Sequence, residues 1–239
     1  MRKILLIGLI ILITASSFIA FSLYSKFYYN NFFGNQYSYP GMMGDMFNSQ
    51  YSYYGQNVYM RQMIQINEAI YLMKNPPSYA HVFTSNDSIV FTSHEINIVV
   101  LTMGHERAIN LTGLTPPSYA QHDVFVIYGL INPTLIIPSG ATVRVTVINL
   151  DEDMYHNFVI TPLSPPYPYN VMMMSGGMMD GGMMGKFITM MPLLPPANYN
   201  QGYAYKFSYI FTLQPGNYWY ICTYPGHAEM GMYGEILVG

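Results

Sequence analysis

The sequence predicts an all-β domain, a sandwich or barrel of Greek-key topology, preceded by a membrane-spanning helix, a stalk and one amphipathic helix. Nine short runs are rich in β-branched and aromatic residues, as is typical of strands. Turn residues separate the runs, for example Pro138-Ser139-Gly140. Many short strands with turns between them favour a sandwich or a barrel. The predicted strands are Ile89–Thr92, Glu95–Leu101, Asp123–Tyr128, Thr134–Ile137, Thr142–Asn149, Asn157–Thr161, Tyr205–Leu213, Asn217–Cys222 and Gly234–Val238.

The N-terminus predicts a membrane anchor. Arg2 and Lys3 precede Ile4–Ser25, which contains no charged residue and is long enough to span the hydrocarbon core of a bilayer, about 30 Å thick. Basic residues on this side place the N-terminus in the cytoplasm and the rest of the chain outside. A cleaved signal peptide is the alternative, with Ile4–Ile13 as its apolar core and Ala15 among the small residues for cleavage. We therefore expect residues 1–26 to be a single-pass anchor or uncleaved signal.

Residues 27–57 and 58–239 differ in composition. The first segment is Tyr, Asn, Gly, Ser and Met with few aliphatic residues, which predicts a flexible stalk. Within the second, Val58–Lys74 has apolar residues near a 3.6-residue period and predicts an amphipathic helix that ends before Pro76. We expect a folded domain over 58–239, with an extension to residue 120 and a core from residue 121.

Charge and cysteine content exclude several functions. Lys+Arg 9 against Asp+Glu 12 gives a net charge of -3, whereas nucleic-acid binding needs clustered cations. The single Cys excludes an intrachain disulfide and a four-thiolate metal site within one chain. Only 9% of the residues are charged, so acidification has few paired carboxylates to disrupt, which favours an acidic habitat. The alternative is a neutral-pH secreted protein with a glycosylated surface.

The C-terminal segment concentrates metal-binding side chains. Cys222, His227 and Met232 follow the spacing Cys-x4-His-x4-Met between two predicted strands. Further upstream, His156 stands immediately before the predicted strand Asn157–Thr161. Two imidazoles and a thiolate with a weak axial thioether form the ligand set of a blue copper electron-transfer site. Met230 competes with Met232 for the axial position. The spacing therefore predicts one copper ion held between strands.

These segments resemble the cupredoxins and, among them, most closely the rusticyanins, the blue copper proteins of acid-living iron oxidisers. The resemblance lies in 132–143, 154–158 and 216–234. It implies a Greek-key β-sandwich with one type 1 copper bound by a four-residue set, and it selects Met232 over Met230. The ligands it implies are His156, Cys222, His227 and Met232.

The resemblance also implies an electron carrier rather than an enzyme, shuttling single electrons outside the membrane with a cytochrome or terminal oxidase as partner. Gly226 stands where a binuclear copper centre has a second Cys, and Ile221 and Thr223 stand where a multicopper oxidase has His. Rusticyanins tend to have Ser after the first His, and this chain has Asn157. Because such neighbours tune the potential, we do not expect an unusually high one.

Three further features lead to separate expectations. Residues 172–191 contain nine Met and predict an apolar flap over the copper edge, or else a Cu(I)-binding loop of a cell-surface copper storage protein. A structural cell-envelope β-domain is a third possible function. Asp151, Glu152 and Asp153 predict a solvated turn. The remaining histidines match no ligand spacing and are expected to be structural or on the surface: His81, His94, His105 and His122.

Overall fold

The computed structural model describes residues 62–173 and 187–239. The predicted anchor at 1–26 and the predicted stalk at 27–57 lie outside these described residues. So do the first residues of the predicted helix and most of the methionine-rich segment. In the part of the chain that is described, no helix is both long and apolar enough to cross a bilayer.

The described residues form two α-helices, one short 3-10 helix (Val171–Met173) and twelve strands. The α-helices are α1 (Ile66–Lys74) and α2 (His105–Thr112). The strands are β1 (Gln62–Gln65), β2 (Ala80–Phe83), β3 (Ser88–Phe91), β4 (Glu95–Gly104), β5 (Asp123–Ile127), β6 (Leu130–Ile131), β7 (Thr134–Ile137), β8 (Thr142–Asn149), β9 (Val159–Thr161), β10 (Tyr203–Thr212), β11 (Gly216–Ile221) and β12 (Tyr233–Val238).

The strands form two six-stranded sheets, in the orders β1-β10-β8-β4-β5-β6 and β2-β3-β7-β12-β11-β9. Most neighbours are antiparallel, but β4 and β8, β3 and β7, and β7 and β12 run parallel. The parallel pairs join strands far apart in sequence, so each sheet combines consecutive antiparallel pairs with crossover connections. This is the predicted all-β sandwich.

Strand β5 shows how the layers stack. Its five residues, Asp-Val-Phe-Val-Ile, are all buried. Phe125 and Ile127 pack in the core that also contains Cys222, while Val124 and Val126 pack in a second cluster with residues of α1 and α2. Both faces of the strand are therefore covered, and the usual alternation of apolar and polar residues is lost.

All nine predicted strands are present, two with their observed ends and the others with ends that differ by a few residues. The predicted helix over Val58–Lys74 is right for Ile66–Lys74 and wrong for Gln62–Gln65, which pairs with β10 as an edge strand. In that strand only Ile64 is buried, an alternation that four residues are too few to reveal. Helix α2 was also missed, because Ala108 is its single buried residue and its apolar pattern is weak.

The sheets bring the ends of several strands together. Strand β11 ends one residue before Cys222, and β12 begins one residue after Met232. These two strands are antiparallel neighbours with Ile221 opposite Tyr233, so the connection between them leaves and re-enters the sheet at one place. The end of β8 and the start of β5 lie close to the same site, because the segments that follow or precede them contact the ligand side chains, as described below.

Candidate metal centre

The segment from Cys222 to Met232 is closed on itself by backbone hydrogen bonds. The Cys222 amide donates to the Met232 carbonyl at 3.2 Å, and the Met232 amide donates to the His227 carbonyl at 2.8 Å. Gly231 has a φ of 96° and its Cα faces the backbone of Tyr119, which a Cβ would overlap. Only glycine fits this position, so the loop can turn tightly and return to β12.

His156 is held instead by residues remote in sequence. Its amide and carbonyl form a two-bond bridge with Leu194, at 3.2 and 2.7 Å. The side-chain amide of Asn149 lies 2.9–3.0 Å from the carbonyl oxygens of Met154, Leu194 and Pro195. Asn149 is fully buried, so these bonds fix the path of the chain on both sides of His156.

Three predicted ligand atoms converge. The Sγ of Cys222 lies 3.8 Å from Nδ1 of His156 and 3.6 Å from Nδ1 of His227, and the two Nδ1 atoms are 3.2 Å apart. A point equidistant from the three atoms is about 2.1 Å from each, within the roughly 2.0–2.3 Å range of nitrogen and thiolate bonds to a first-row metal. The residues therefore fit a trigonal metal site without rearrangement.

The donor set selects the metal. A thiolate suits copper(I), imidazole suits both oxidation states of copper, and two His with one Cys in a trigonal arrangement is diagnostic of blue copper. Cys222 and His156 are fully buried and His227 is 2% exposed. The site is therefore built to hold copper away from water.

Burial separates the two candidate axial methionines. Met232 is fully buried in the same core cluster as Cys222. Met230 is only half-buried, and its terminal methyl lies beside Gly226. Met232 is thus the methionine packed with the thiolate, and its role as axial ligand stays a prediction that this burial supports.

Asn157 connects the two ligand segments. Its Oδ1 accepts the Thr223 amide at 2.8 Å, and its Nδ2 donates to the Thr223 hydroxyl at 2.7 Å. Asn157 follows His156 and Thr223 follows Cys222, so this pair links the two segments that carry the ligands. The two hydrogen bonds fix the distance between the segments.

Aromatic rings form the core beneath the site. Phe158 stacks on Tyr220 with ring centroids 4.8 Å apart, and Phe125 meets both rings edge-on at 5.3 Å. The Tyr220 hydroxyl donates to the Pro133 carbonyl at 2.6 Å. Phe158 and Tyr220 lie two residues from His156 and Cys222, so the ligand segments are joined to a buried aromatic cluster.

Two buried carboxylates face the far sides of the imidazole rings. Oδ2 of Asp151 lies 3.4 Å from Nε2 of His156, and Oδ2 of Asp123 lies 3.5 Å from Nε2 of His227. The expectation of a solvated turn is therefore wrong for Asp151, which is 5% exposed, while Glu152 and Asp153 are exposed as expected. Asp151 is buried because its Oδ1 accepts the backbone amides of Asp153 and Met154 at 3.1 Å, which turns the carboxylate inward.

Sequence reasoning missed both carboxylates as site residues. The available signal was the acid at the start of an otherwise apolar run, Asp123 before Val-Phe-Val-Ile, since an unpaired charge is rarely buried.

The two histidines differ in proton affinity in the metal-free protein. Burial alone would lower the pKa of His156, but the Asp151 carboxylate and Cys222 outweigh it and raise that pKa to about 9. Burial, reinforced by His156, lowers the pKa of His227 to about 3. Burial opposes ionisation of Asp151, yet contact with His156 and the amide bonds bring its pKa below the usual range. His156 therefore holds an additional proton more strongly than His227, and a metal that binds its Nδ1 competes with that proton.

The methionine-rich segment reaches the site at its described end. The sulfur of Met191 accepts the Phe158 amide at 3.3 Å, and Met191 is 3% exposed. Met190 is 38% exposed. Residues 174–186 lie outside the described residues, so the flap and the copper-binding loop both remain predictions for them. The described residues contain two groups of potential metal ligands, one of His156, Cys222 and His227 and one of Asp123, Asp151 and His156. The four histidines without ligand spacing are exposed or half-buried and belong to neither group.

Comparison with known proteins agrees with this geometry. The family of copper-binding proteins of the plastocyanin/azurin type matches residues 132–239. Rusticyanin of Acidithiobacillus ferridurans is 33% identical over 162 residues, covering 64% of this chain and 68% of that protein. A rusticyanin of Acidithiobacillus ferrooxidans is 32% identical over 162 residues, covering 64% of this chain and 83% of that protein.

Solved structures share the fold. Reduced rusticyanin aligns with a TM-score of 0.55 at 23% identity, covering 75% of this chain and all of that one. Rusticyanin from Thiobacillus ferrooxidans aligns with a TM-score of 0.55 at 23% identity, over 77% of this chain. The fold and the site define a cupredoxin, a blue copper protein that carries electrons. Within that class, the chain belongs to the rusticyanin family.

Proposed function

We propose that this protein passes single electrons between redox partners outside the cytoplasmic membrane, as a link in a respiratory chain. The observation that carries the proposal is the triangle of Cys222 Sγ and the two His Nδ1 atoms, all on buried side chains. Copper bound there supplies reversible one-electron transfer between Cu(I) and Cu(II).

The protein's own residues make that transfer fast. Ligands fixed by paired strands and by the Asn157–Thr223 bridge keep nearly the same positions in both oxidation states, so little reorganisation accompanies the electron. His156, Cys222 and His227 are each at most 2% exposed. That burial suits electron exchange with a docked partner rather than chemistry on a bound substrate.

Residues 1–26 support a location at the membrane. Two basic residues followed by a long uncharged stretch favour a single-pass anchor with the copper domain on the extracytoplasmic side. We propose a cytochrome or a terminal oxidase as the redox partner. The low charged fraction and the resemblance to proteins of acid-living iron oxidisers support a place in acidophilic iron oxidation.

An absorption spectrum of the copper-loaded protein tests the central proposal. We expect an intense visible band from thiolate-to-Cu(II) charge transfer that disappears on reduction and returns on oxidation. Copper binding without that band would instead favour the storage function suggested by the methionine-rich segment. Absence of copper binding would favour a structural β-domain.

The location and partner need separate measurements. Fractionation of cells should place the full chain in the membrane, whereas a variant with residues 1–26 replaced by a cleavable signal peptide should be soluble outside the cytoplasm. Membranes of the source organism should oxidise the reduced protein in the presence of oxygen. Recovery of the full chain in the soluble fraction would overturn the anchor, and no oxidation would overturn the proposed partner.

A further inference from the structure

Three buried polar atoms lack a hydrogen-bond partner among the described residues: Asp123 Oδ2, His156 Nε2 and His227 Nε2. They are not scattered. Each imidazole Nε2 faces one carboxylate Oδ2, at 3.4 Å for His156 with Asp151 and 3.5 Å for His227 with Asp123. Buried polar atoms without partners are costly, so their arrangement in facing pairs calls for a physical reason.

The site chemistry supplies that reason. Both Nδ1 atoms point at the Cys222 sulfur and at each other, so Nδ1 is the atom that each ring offers to copper. A neutral imidazole carries one N–H, and a metal on Nδ1 leaves that proton on Nε2. Each Nε2 then becomes a donor directed at a carboxylate. The observed distances exceed the usual 2.7–3.2 Å range by only a few tenths of an ångström.

Each carboxylate divides its oxygens in the same way. Oδ1 of Asp151 accepts the amides of Asp153 and Met154, which leaves Oδ2 for His156. Oδ1 of Asp123 lies 3.0 Å from Nδ1 of the exposed His122, which leaves Oδ2 for His227. One oxygen thus anchors the side chain and the other faces the ligand ring.

We propose that Asp151 and Asp123 are positioning residues for the copper centre, orienting the rings of His156 and His227 and lowering the reduction potential. A carboxylate behind a ligating imidazole fixes its tautomer and makes its metal-binding nitrogen more basic. Two buried negative charges also favour Cu(II), which carries one more positive charge than Cu(I). The proposal rests on copper occupying the site, and is independent of the electron donor and acceptor.

The test is the reduction potential of the copper-loaded full chain and of the variants Asp151→Asn and Asp123→Asn. Asparagine keeps the size of the side chain and a carbonyl oxygen for the Nε2–H, and removes the charge. We expect the ratio of Cu(II) to Cu(I) affinity to fall about tenfold in each variant, which raises the potential by about 59 mV. Glu106→Gln is the matched control, because Glu106 lines the same surface groove as both aspartates but is exposed.

Potentials in both Asn variants no higher than in Glu106→Gln would overturn the proposal. A measurement on the unaltered protein covers the case in which a variant does not fold. In the diamagnetic Cu(I) form, ¹H–¹⁵N correlation spectra of the imidazoles should show a protonated Nε2 on both rings, shifted downfield and slow to exchange with water. A metal-bound Nε2 or a rapidly exchanging proton would also overturn it. Failure of the proposed function would appear earlier, as absence of the charge-transfer band from the unaltered protein.

Discussion

Two segments supply the copper ligands, and they are held in place in opposite ways. The Cys222–Met232 loop supplies three candidate ligands and is closed by hydrogen bonds among its own residues and the strands at its ends. The segment around His156 supplies one ligand and is held by Leu194 and Asn149. The first has hydrogen bonds of its own that close the loop, in addition to contacts with Tyr169, Gln121 and Asn132, whereas the second is paired directly with Leu194, far along the chain.

Because of this difference, substitutions in the two segments should first affect different properties, the metal centre in one and the stability of the fold in the other. The loop carries the thiolate that defines the centre, so changes within it should alter the metal's properties before they alter the fold. The His156 segment depends on buried polar contacts between β4, β8 and the 194–195 segment, so changes there should reduce stability first. Variants on each side can test whether this division holds.

The largest expected effect comes from Cys222→Ser. Serine has a similar size but offers no thiolate, and its backbone amide can still donate to the Met232 carbonyl. We expect complete loss of the charge-transfer band with the far-ultraviolet circular dichroism of the domain unchanged. A band that survived in this variant would show that another residue supplies the chromophore.

In the segment around His156, the substitution Asn149→Leu should strongly destabilise the fold. It removes the donor to three carbonyl oxygens, of which that of Leu194 keeps the His156 amide, and it removes the acceptor of the Thr102 hydroxyl and the Asp151 amide. Each buried polar group left without a partner costs about 1–3 kcal/mol. We expect the free energy of unfolding to fall by about 3 kcal/mol or more, measured with denaturant on the metal-free protein. Thr102→Val removes one of these bonds and should cost about 1 kcal/mol. Equal losses in both variants would contradict the central role of Asn149.

The two ligand histidines should respond differently to pH in the metal-free protein. His227 has a folded-state pKa of about 3 against 6.5 for free imidazole, so between these values only the unfolded chain takes up its proton. Stability from this residue is therefore present above pH 6.5 and lost as the pH falls, by up to about 1.4 kcal/mol per pH unit. His156, with a folded-state pKa of about 9, is protonated in both states once the pH is well below 6.5, and adds no slope there.

This pH dependence is measured as the free energy of unfolding between pH 6.5 and 4. The variant His227→Gln should show a shallower decline than the unaltered protein. His81→Gln, which removes an exposed imidazole from β2, serves as the control and should keep the original slope. A steeper decline of the unfolding free energy in His227→Gln would contradict the low folded-state pKa of His227.

The axial position provides a matched pair within the loop. Met232→Leu should change the charge-transfer spectrum and raise the reduction potential, because Cu(II) loses a donor, whereas Met230→Leu should leave both unchanged. Met232 is fully buried beside Cys222, and Met230 is half-buried. The opposite result would make Met230 the axial ligand.

The smallest effect is expected where the two segments meet. Thr223→Val removes the hydroxyl that accepts from Asn157 and keeps the Thr223 amide bond. We expect a loss of about 1 kcal/mol in the free energy of unfolding of the metal-free protein. Thr212→Val, at an exposed position of β10, should change it much less. Equal losses would mean that the bridge does not couple the segments.

Most of the fold could be predicted because strand signals are local. Thr134–Ile137 and Thr142–Asn149 are predicted with their observed ends, since turn residues bound each run of β-branched side chains. The extra strands β1, β2 and β6 could not, because edge strands of two to four residues show too little alternation. Sheet order was also beyond prediction, since the parallel pairing of β4 with β8 joins segments whose contact leaves no local pattern.

The ligand set is determined by the sequence because a copper site needs particular atoms, and three of them lie within one loop whose spacing is set by a turn. Cys222, His227 and Met232 predict a copper site by their types and spacing, and the single Cys leaves one choice of thiolate. The surroundings were decided by the tertiary structure. Asp151 follows β8 and Asp123 begins β5, and only the packing of the sheet brings each carboxylate to within 3.5 Å of an imidazole. Burial converts these ordinary acids into partners of the ligands, and burial is a property of the assembled sandwich rather than of any segment.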